Sequence, residues 1–313
     1  MLRQSIPLLA FLLSFMMLPN LFAAEPSFTH QEDIIYGRKF GTALTMDVFT
    51  PKEKPNGAAV ILVVSGGWFS SHESINLPFA QVLIDRGYTV FAVVHGSQPK
   101  FTIPEAIADL NRAVRYVRHR AADFKIDPER VGIIGGSAGG HLSLMLGLAG
   151  SAGDPEAKDP VDRQSSRIQA VACFFPPTDF LNYGKPGENA MGRGILSNYR
   201  APFNFQEFDQ RKREFVPITD EVRIEKIGME ISPAYHVTSD DPPTLIVHGD
   251  ADQLVPIQQA QLVIDKLKES DVPHELVVRK GAAHGWKDMI KDVSLFADWF
   301  DKHLKPKKAP ATE

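Results

Sequence analysis

Three short loops hold the residues with the clearest chemical potential. The first is Gly135-Gly136-Ser137-Ala138-Gly139-Gly140, a G-x-S-x-G pattern. The pattern alone is common in glycine-rich turns, so its setting decides. It follows a buried apolar run at 131–134 and opens a helical stretch of small and aliphatic residues at 138–148. That is the setting of a strained strand-to-helix turn that lifts a serine hydroxyl above a sheet. Side chains two positions before and after such a serine would collide, and Gly135 and Gly139 remove them. A phosphate-binding loop of the Walker type needs Gly-Lys-Ser/Thr, which is absent.

A serine alcohol needs a base to accept its proton, and imidazole is the side chain suited to this near neutral pH. Of the ten histidines, His284 stands out. It lies in the small-residue loop Gly281-Ala282-Ala283-His284-Gly285-Trp286, between a strand and a helix and C-terminal to the serine. His30 and His303 sit near the ends, and His119 lies between two arginines on a solvated helix face. His141 follows the serine and reads as a brace for its helix. His248 ends a strand but precedes the acid candidates. A carboxylate must orient the base, and Asp250 and Asp252 both lie in the loop after the strand at 244–247. Asp252 is favoured and Asp250 reads as a loop brace, although spacing does not separate them. Developing negative charge on a carbonyl oxygen calls for preorganised N–H donors. The Ala138 N–H and the turn Ser65-Gly66-Gly67-Trp68, directly after another apolar run, could supply them.

The elements that must hold these loops are legible as alternating runs. Residues 44–49 alternate and stop at Pro51, as an outer strand does. Residues 58–64 and 88–94 are continuous apolar runs, as expected of strands covered on both faces; 131–134 reads as a short buried strand, 168–175 as a strand stopped by Pro176-Pro177, and 244–247 and 275–278 complete the set. Ile107, Leu110, Val114 and Val117 step by three and four, which predicts a helix over 104–122. Helices are also predicted at 138–148, 258–268 and 287–304. Strands alternating with helices imply an α/β fold with a mostly parallel central sheet and helices on both faces. Residues 181–235 break the rhythm. Rich in Gly, Arg and aromatics, this stretch reads as an insertion that lines or lids an acyl pocket.

The chain has 313 residues with 43% hydrophobic and 23% charged, enough apolar material for a large core and too much for a disordered chain. A net charge of −4 gives no basic surplus for nucleic acid, so no nucleic-acid partner is expected. Cys173 is the only cysteine, which excludes an intramolecular disulfide framework and a cysteine-rich zinc site. Arg3 and the apolar block at 8–18 precede Ala23-Ala24. The block is too short to span ~30 Å of hydrocarbon and suits a secretory signal peptide over 1–24, cleaved near Ala24, with a retained anchor as the alternative. The mature chain, a single domain over 25–304 with a frayed tail at 305–313, is therefore expected outside the cytoplasm or in a periplasm, with no membrane span.

These segments together resemble the α/β-hydrolase superfamily, and within it the hormone-sensitive-lipase-like and bifunctional feruloyl/acetyl-xylan-esterase-like groups. The resemblance covers nearly all of 32–304. Its marks are Leu-Thr-Met-Asp-Val-Phe-Thr-Pro at 44–51, Gly66-Gly67-Trp68, the helix at 109–118, Asp127-Pro128-Glu129-Arg130-Val131, the serine turn with His141-Leu142, the loop 249–256 and Ala283-His284-Gly285. It implies Ser137 as nucleophile, Asp252 as acid, His284 as base, and Gly66, Gly67 and Ala138 as oxyanion donors, with neither metal nor organic cofactor. Many relatives carry His-Gly-Gly-Gly where this chain has Val64-Ser65-Gly66-Gly67, so a loop-steadying histidine is missing. The implied function is an exported serine esterase acting through an acyl-enzyme on small-molecule or polysaccharide-linked esters, acetyl or feruloyl among them. A serine peptidase of the prolyl-oligopeptidase type shares the catalytic order, but it usually carries a large N-terminal propeller. A non-catalytic binding module on the same scaffold is the other alternative.

Overall fold

A strand covered on both faces has no polar side to show, so the continuous apolar runs pair side by side in the interior. The computed structural model describes residues 25–304 and Pro306; the signal-peptide expectation for 1–24 and nearly all of the tail lie outside the described residues. In chain order the elements are β1 (Phe28–Lys39), β2 (Thr42–Pro51), β3 (Ala59–Val64), α1 (Leu77–Ile84), β4 (Thr89–Val94), α2 (Ile103–His119), the single turn α3 (Ala121–Phe124), β5 (Val131–Gly136), α4 (Ala138–Leu148) and β6 (Ala170–Phe174). After them come β7 (Gln206–Asp209), β8 (Glu214–Pro217), α5 (Glu221–Glu230), β9 (Thr244–Gly249), α6 (Gln258–Glu269), β10 (His274–Arg279) and α7 (Val293–His303).

The main sheet has eight strands in the order β1-β2-β4-β3-β5-β6-β9-β10. The first two junctions are antiparallel and the remaining five are parallel. Side chains of a strand alternate between faces, and β3 shows the result. Ala59, Ile61 and Val63 join a core with α2, α4 and α6, whereas Val60, Leu62 and Val64 join a second core with α1 and α7. The sheet is thus sandwiched by helices, as its alternating pattern required. Parallel strands all end at the same edge, so the loops after β3, β5, β9 and β10 gather there.

Several expectations change in detail. The helix predicted over 104–122 divides at Arg120, whose φ of −102° and ψ of 17° end α2 before α3 begins. The helix predicted from 287 begins at Val293, because Met289–Asp292 forms a 3-10 turn whose Asp292 is pinned by Arg279 and by the Trp286 indole. β1 and α1 were not predicted. β1 is mostly exposed and lacks apolar alternation, so its pairing partner β2 makes it a strand. α1 starts on Asn76, whose side chain accepts from the Phe79 N–H, with Pro78 in its first turn. The 181–235 stretch contains the β7–β8 hairpin and α5, and its Tyr183, Phe203 and Phe205 join the main core beside Trp68 and Phe180 instead of building a core of their own.

One buried cation fixes the back of the sheet. Arg118, on α2, donates to the carbonyls of Pro128, Ser165 and Arg167 and to the Gln169 side chain. These acceptors lie in the connections that deliver β5 and β6. Arg118→Met keeps the apolar stem but strands the acceptors away from water, and each buried unsatisfied group costs ~1–3 kcal/mol. The expected result is a chain destabilised by roughly 2–4 kcal/mol in urea unfolding; an unchanged midpoint would show that water replaces the guanidinium at no cost.

Candidate active site

The turn between β5 and α4 places Ser137 at φ 54° and ψ −119°, a strained conformation for a residue with a side chain. Crowding makes the flanking glycines necessary. A Cβ on Gly135 would lie 2.3 Å from the Gly139 carbonyl oxygen, and one on Gly140 would lie 2.8 Å from that of Phe174. The Ser137 N–H donates to the Phe174 carbonyl at 3.0 Å, which ties the turn to β6. The hydroxyl projects over the edge where the strand-end loops meet.

His284 and Asp252 arrive there from β10 and β9. Ser137 Oγ lies 2.9 Å from His284 Nε2, and His284 Nδ1 lies 2.7 Å from Asp252 Oδ2. The Nδ1–H therefore donates to the carboxylate and leaves Nε2 free to accept from the hydroxyl. Phe175 packs against the imidazole at 4.4 Å between ring centres. Asp252 is buried, and its other oxygen accepts from the Leu254 and Val255 N–H groups at 2.9 Å each. Burial alone would raise its pKa. The His248 imidazole 3.5 Å away and the hydrogen bonds from His284 and Val255 outweigh that and hold it well below the usual carboxylate range, so it is an anion near neutral pH. Asp250 instead accepts from the Gly281 N–H at 2.6 Å and braces the neighbouring loop. Geometry thus separates two acids that spacing left together. His248, buried behind Asp252, donates through Nε2 to the Val255 carbonyl at 2.8 Å.

The expected oxyanion donors need one correction. The Gly66 N–H is already committed to the Phe69 carbonyl at 2.9 Å, closing a tight turn. Among the described residues the Gly67 and Ala138 N–H groups have no acceptor, whereas the Gly66 N–H is used in closing the turn. Gly67 has φ 55° and lies under the Tyr199 ring, which a Cβ there would strike at 2.6 Å.

The histidine missing from the loop has a replacement from another strand. Val64 pairs with Val94, so the following residues, Ser65 and His95, lie side by side. His95 Nδ1–H donates to the Gly96 carbonyl at 2.9 Å, and its Nε2 accepts from the Ser65 hydroxyl at 2.9 Å. Gly96 N–H in turn donates to Asp109 at 2.8 Å, and Asp109 pairs with Lys39 at 2.5 Å. On the other side of the loop, Trp68 donates to His141 Nδ1 at 3.1 Å while His141 Nε2 donates to the Ile231 carbonyl at 2.7 Å. His141 therefore holds the donor loop as well as its own helix. Sequence reasoning missed His95; its only signal was its place at the C-terminal end of an apolar strand.

A cavity of ≈ 380 Å³ opens beside Ser137. Leu62, Val64, Phe79, Ile134, Phe174 and Phe296 give it an apolar wall, and Ser74 and Asn76 stand among its polar residues. No residue of 181–235 lines it. The insertion packs on the far side of the donor loop and reaches the site through Tyr199, which corrects the expected pocket-lining role. Its aromatics were drawn to the main core instead.

An eight-stranded, mostly parallel sheet with a serine turn after β5 and a histidine after β10 defines an α/β-hydrolase. The chain belongs to the BD-FAE family, whose model matches residues 46–267. Esterase LipQ of Mycobacterium tuberculosis is 28% identical over 242 residues, covering 76% of this chain and 52% of LipQ. The chain spans about half the length of such relatives. A truncated carbohydrate esterase from gut microbiota superposes with a TM-score of 0.70 at 24% identity, over 90% of this chain and 98% of its own. Thermogutta terrifontis esterase 2 phosphonylated by sarin gives a TM-score of 0.69 at 25% identity, over 88% and 96%.

His95 and His141 are both buried, and burial pulls each imidazole down to about 4. Both are neutral in the fold, whereas in the unfolded chain they titrate near ~6.5. Between these values the unfolded chain binds more protons. Their stabilisation is therefore complete above ~pH 6.5 and is lost as pH falls toward 4, by on the order of 3 kcal/mol for each. The urea midpoint is expected to fall steadily from pH 7 to pH 4.5, with a shallower slope in His95→Gln. A pH-independent midpoint would contradict this.

Proposed function

We propose that this protein is a serine esterase that hydrolyses carboxylic esters through an acyl-enzyme. The observation that carries this reading is the continuous contact from Ser137 through His284 to Asp252, beside a pair of unused N–H donors. His284 Nε2 takes the Ser137 proton as the oxygen attacks the ester carbonyl. Negative charge on the tetrahedral oxygen is met by Gly67 and Ala138. His284, now an imidazolium stabilised by Asp252, protonates the leaving alcohol as the carbon–oxygen bond breaks. Water then enters by the same route, gives its proton to His284 and releases the acid. Each oxyanion donor can contribute ~3–4 kcal/mol to such a step.

The cavity beside Ser137 takes the acyl group. Its apolar wall suits hydrocarbon, and its volume exceeds the needs of acetyl alone. The similarity to a carbohydrate esterase supports a carbohydrate-linked ester as the natural substrate, and acetyl or feruloyl groups on polysaccharide are the esters we propose.

Ser137→Ala is expected to lower kcat on p-nitrophenyl butyrate at least ~10³-fold with an unchanged circular dichroism spectrum; a folded variant with wild-type turnover would refute the mechanism. In the wild type, kcat/KM should rise by up to ~4-fold per added CH₂ from acetyl to butyryl esters, the worth of ~0.8 kcal/mol of burial. A steady fall from acetyl onward would remove the cavity from the acyl role. Acetylated xylan and methyl ferulate in the same panel separate the polysaccharide substrates.

Export is part of the proposal. It rests on the apolar block at 8–18 and the small residues Ala23-Ala24. N-terminal sequencing of protein from the extracellular or periplasmic fraction should begin near Glu25; intact Met1 in the cytoplasmic fraction would exclude it.

A further inference from the structure

Away from the serine, the β1–β2 hairpin and the loop after β3 bring a second set of reactive side chains together. Asp47 lies in the middle of β2 and is 1% exposed. A buried carboxylate normally requires a cation. Among the described residues no Lys or Arg pairs with it. It is met instead by two imidazoles and one amide. His30 Nε2 lies 2.7 Å from its Oδ2, His72 Nε2 lies 3.0 Å from the same oxygen, and the Asp33 N–H donates to Oδ1 at 3.1 Å. The Asp33 carboxylate adds a second acid. Its oxygen, one from Asp47 and the His72 nitrogen all lie within 4.8 Å of one another.

We propose that Asp33, Asp47 and His72 form a binding site for a divalent transition-metal cation of the zinc class, with His30 orienting the Asp47 carboxylate. The donor set is imidazole nitrogen and carboxylate oxygen, which suits zinc, cobalt or nickel better than calcium or magnesium. Bonds of ~2.0–2.2 Å to a tetrahedral ion place ligand atoms ~3.3 Å apart. The 3.0 Å between His72 and Asp47 therefore needs only a few tenths of an ångström of adjustment. The ion would neutralise two carboxylates that have no Lys or Arg partner among the described residues. Asp33 and His72 are exposed, which gives it a path from solvent. His30 stacks on Phe49 with ring centres 4.4 Å apart, so its hydrogen bond to Asp47 has a fixed direction. Partners of this kind commonly set the aim of a metal-binding carboxylate.

The position gives the site a structural consequence. His72 opens the 3-10 turn His72–Ser74, and Ser74 and Asn76 line the cavity beside Ser137. A metal at this point ties the cavity-forming loop to the β1–β2 hairpin. It takes no part in ester chemistry and does not depend on the proposed function.

Chelator-treated full-length protein titrated with zinc chloride against a chromophoric chelator should bind one equivalent with micromolar or tighter affinity. Asp33→Asn and His72→Gln should each weaken binding at least tenfold, whereas the surface variant His119→Gln should not. One equivalent of zinc should raise the Tm of the wild type and leave Asp33→Asn/His72→Gln unchanged. Cobalt supplies a readout that needs no variant, since the wild type should develop the intense visible absorption of a four-coordinate ion. Zinc uptake that is equal in wild type and double variant would overturn the proposal. So would failure to compete with the chelator, or a cobalt spectrum that stays that of the hydrated ion.

Discussion

The backbone reversal at Ser137 is the constraint on which the rest of the site depends. It brings β5 to the edge of the sheet and starts α4 within one residue, and the chain can do this only because Gly135 passes so close to Gly139 that no side chain fits between them. The strain at Ser137 is held by packing on every side, including the hydrogen bond to β6 and the burial of all of α4. Such strain persists where the surrounding structure over-determines it. The reward is a hydroxyl lifted clear of the sheet beside the unused N–H of Ala138.

The other half of the donor pair is held quite differently. The loop after β3 also turns through the left-handed region, with Gly67 at φ 55° and Trp68 at φ 60°. It is fixed by polar contacts from behind: Ser65 to His95, His95 to Gly96, Gly96 to Asp109, and Trp68 to His141. Inside a protein such chains are strong when complete and costly when broken. Two of their members are imidazoles that must remain neutral. The donor geometry and the acid sensitivity of the fold are therefore linked through the same side chains.

The insertion and the acid choice show how packing assigns roles that composition cannot. The aromatics of 181–235 are numerous enough to suggest a lid, yet the largest buried ones pack with Trp68 and Phe180 against the back of the donor loop. Only Tyr199 comes up against Gly67. Asp250 and Asp252 are two residues apart in one loop, and their fates diverge because one turns inward to buried N–H groups and an imidazole while the other caps an exposed loop.

Legible in the residue order alone were the alternation of strands and helices, the helix that begins at Ala138, and the three loops that hold Ser137, Asp252 and His284. These follow from local causes: apolar runs need cover on both faces, small residues permit tight turns, and parallel strands end together. It could not determine β1, whose polar residues become a strand through β2, nor the break of α2 at Arg120. It also could not show that Gly66 spends its N–H on Phe69, that His95 steadies Ser65, or that Asp33, Asp47 and His72 meet. Each of these rests on contacts between residues distant in sequence, and such contacts are decided by register and packing across the sheet, where no local pattern records them.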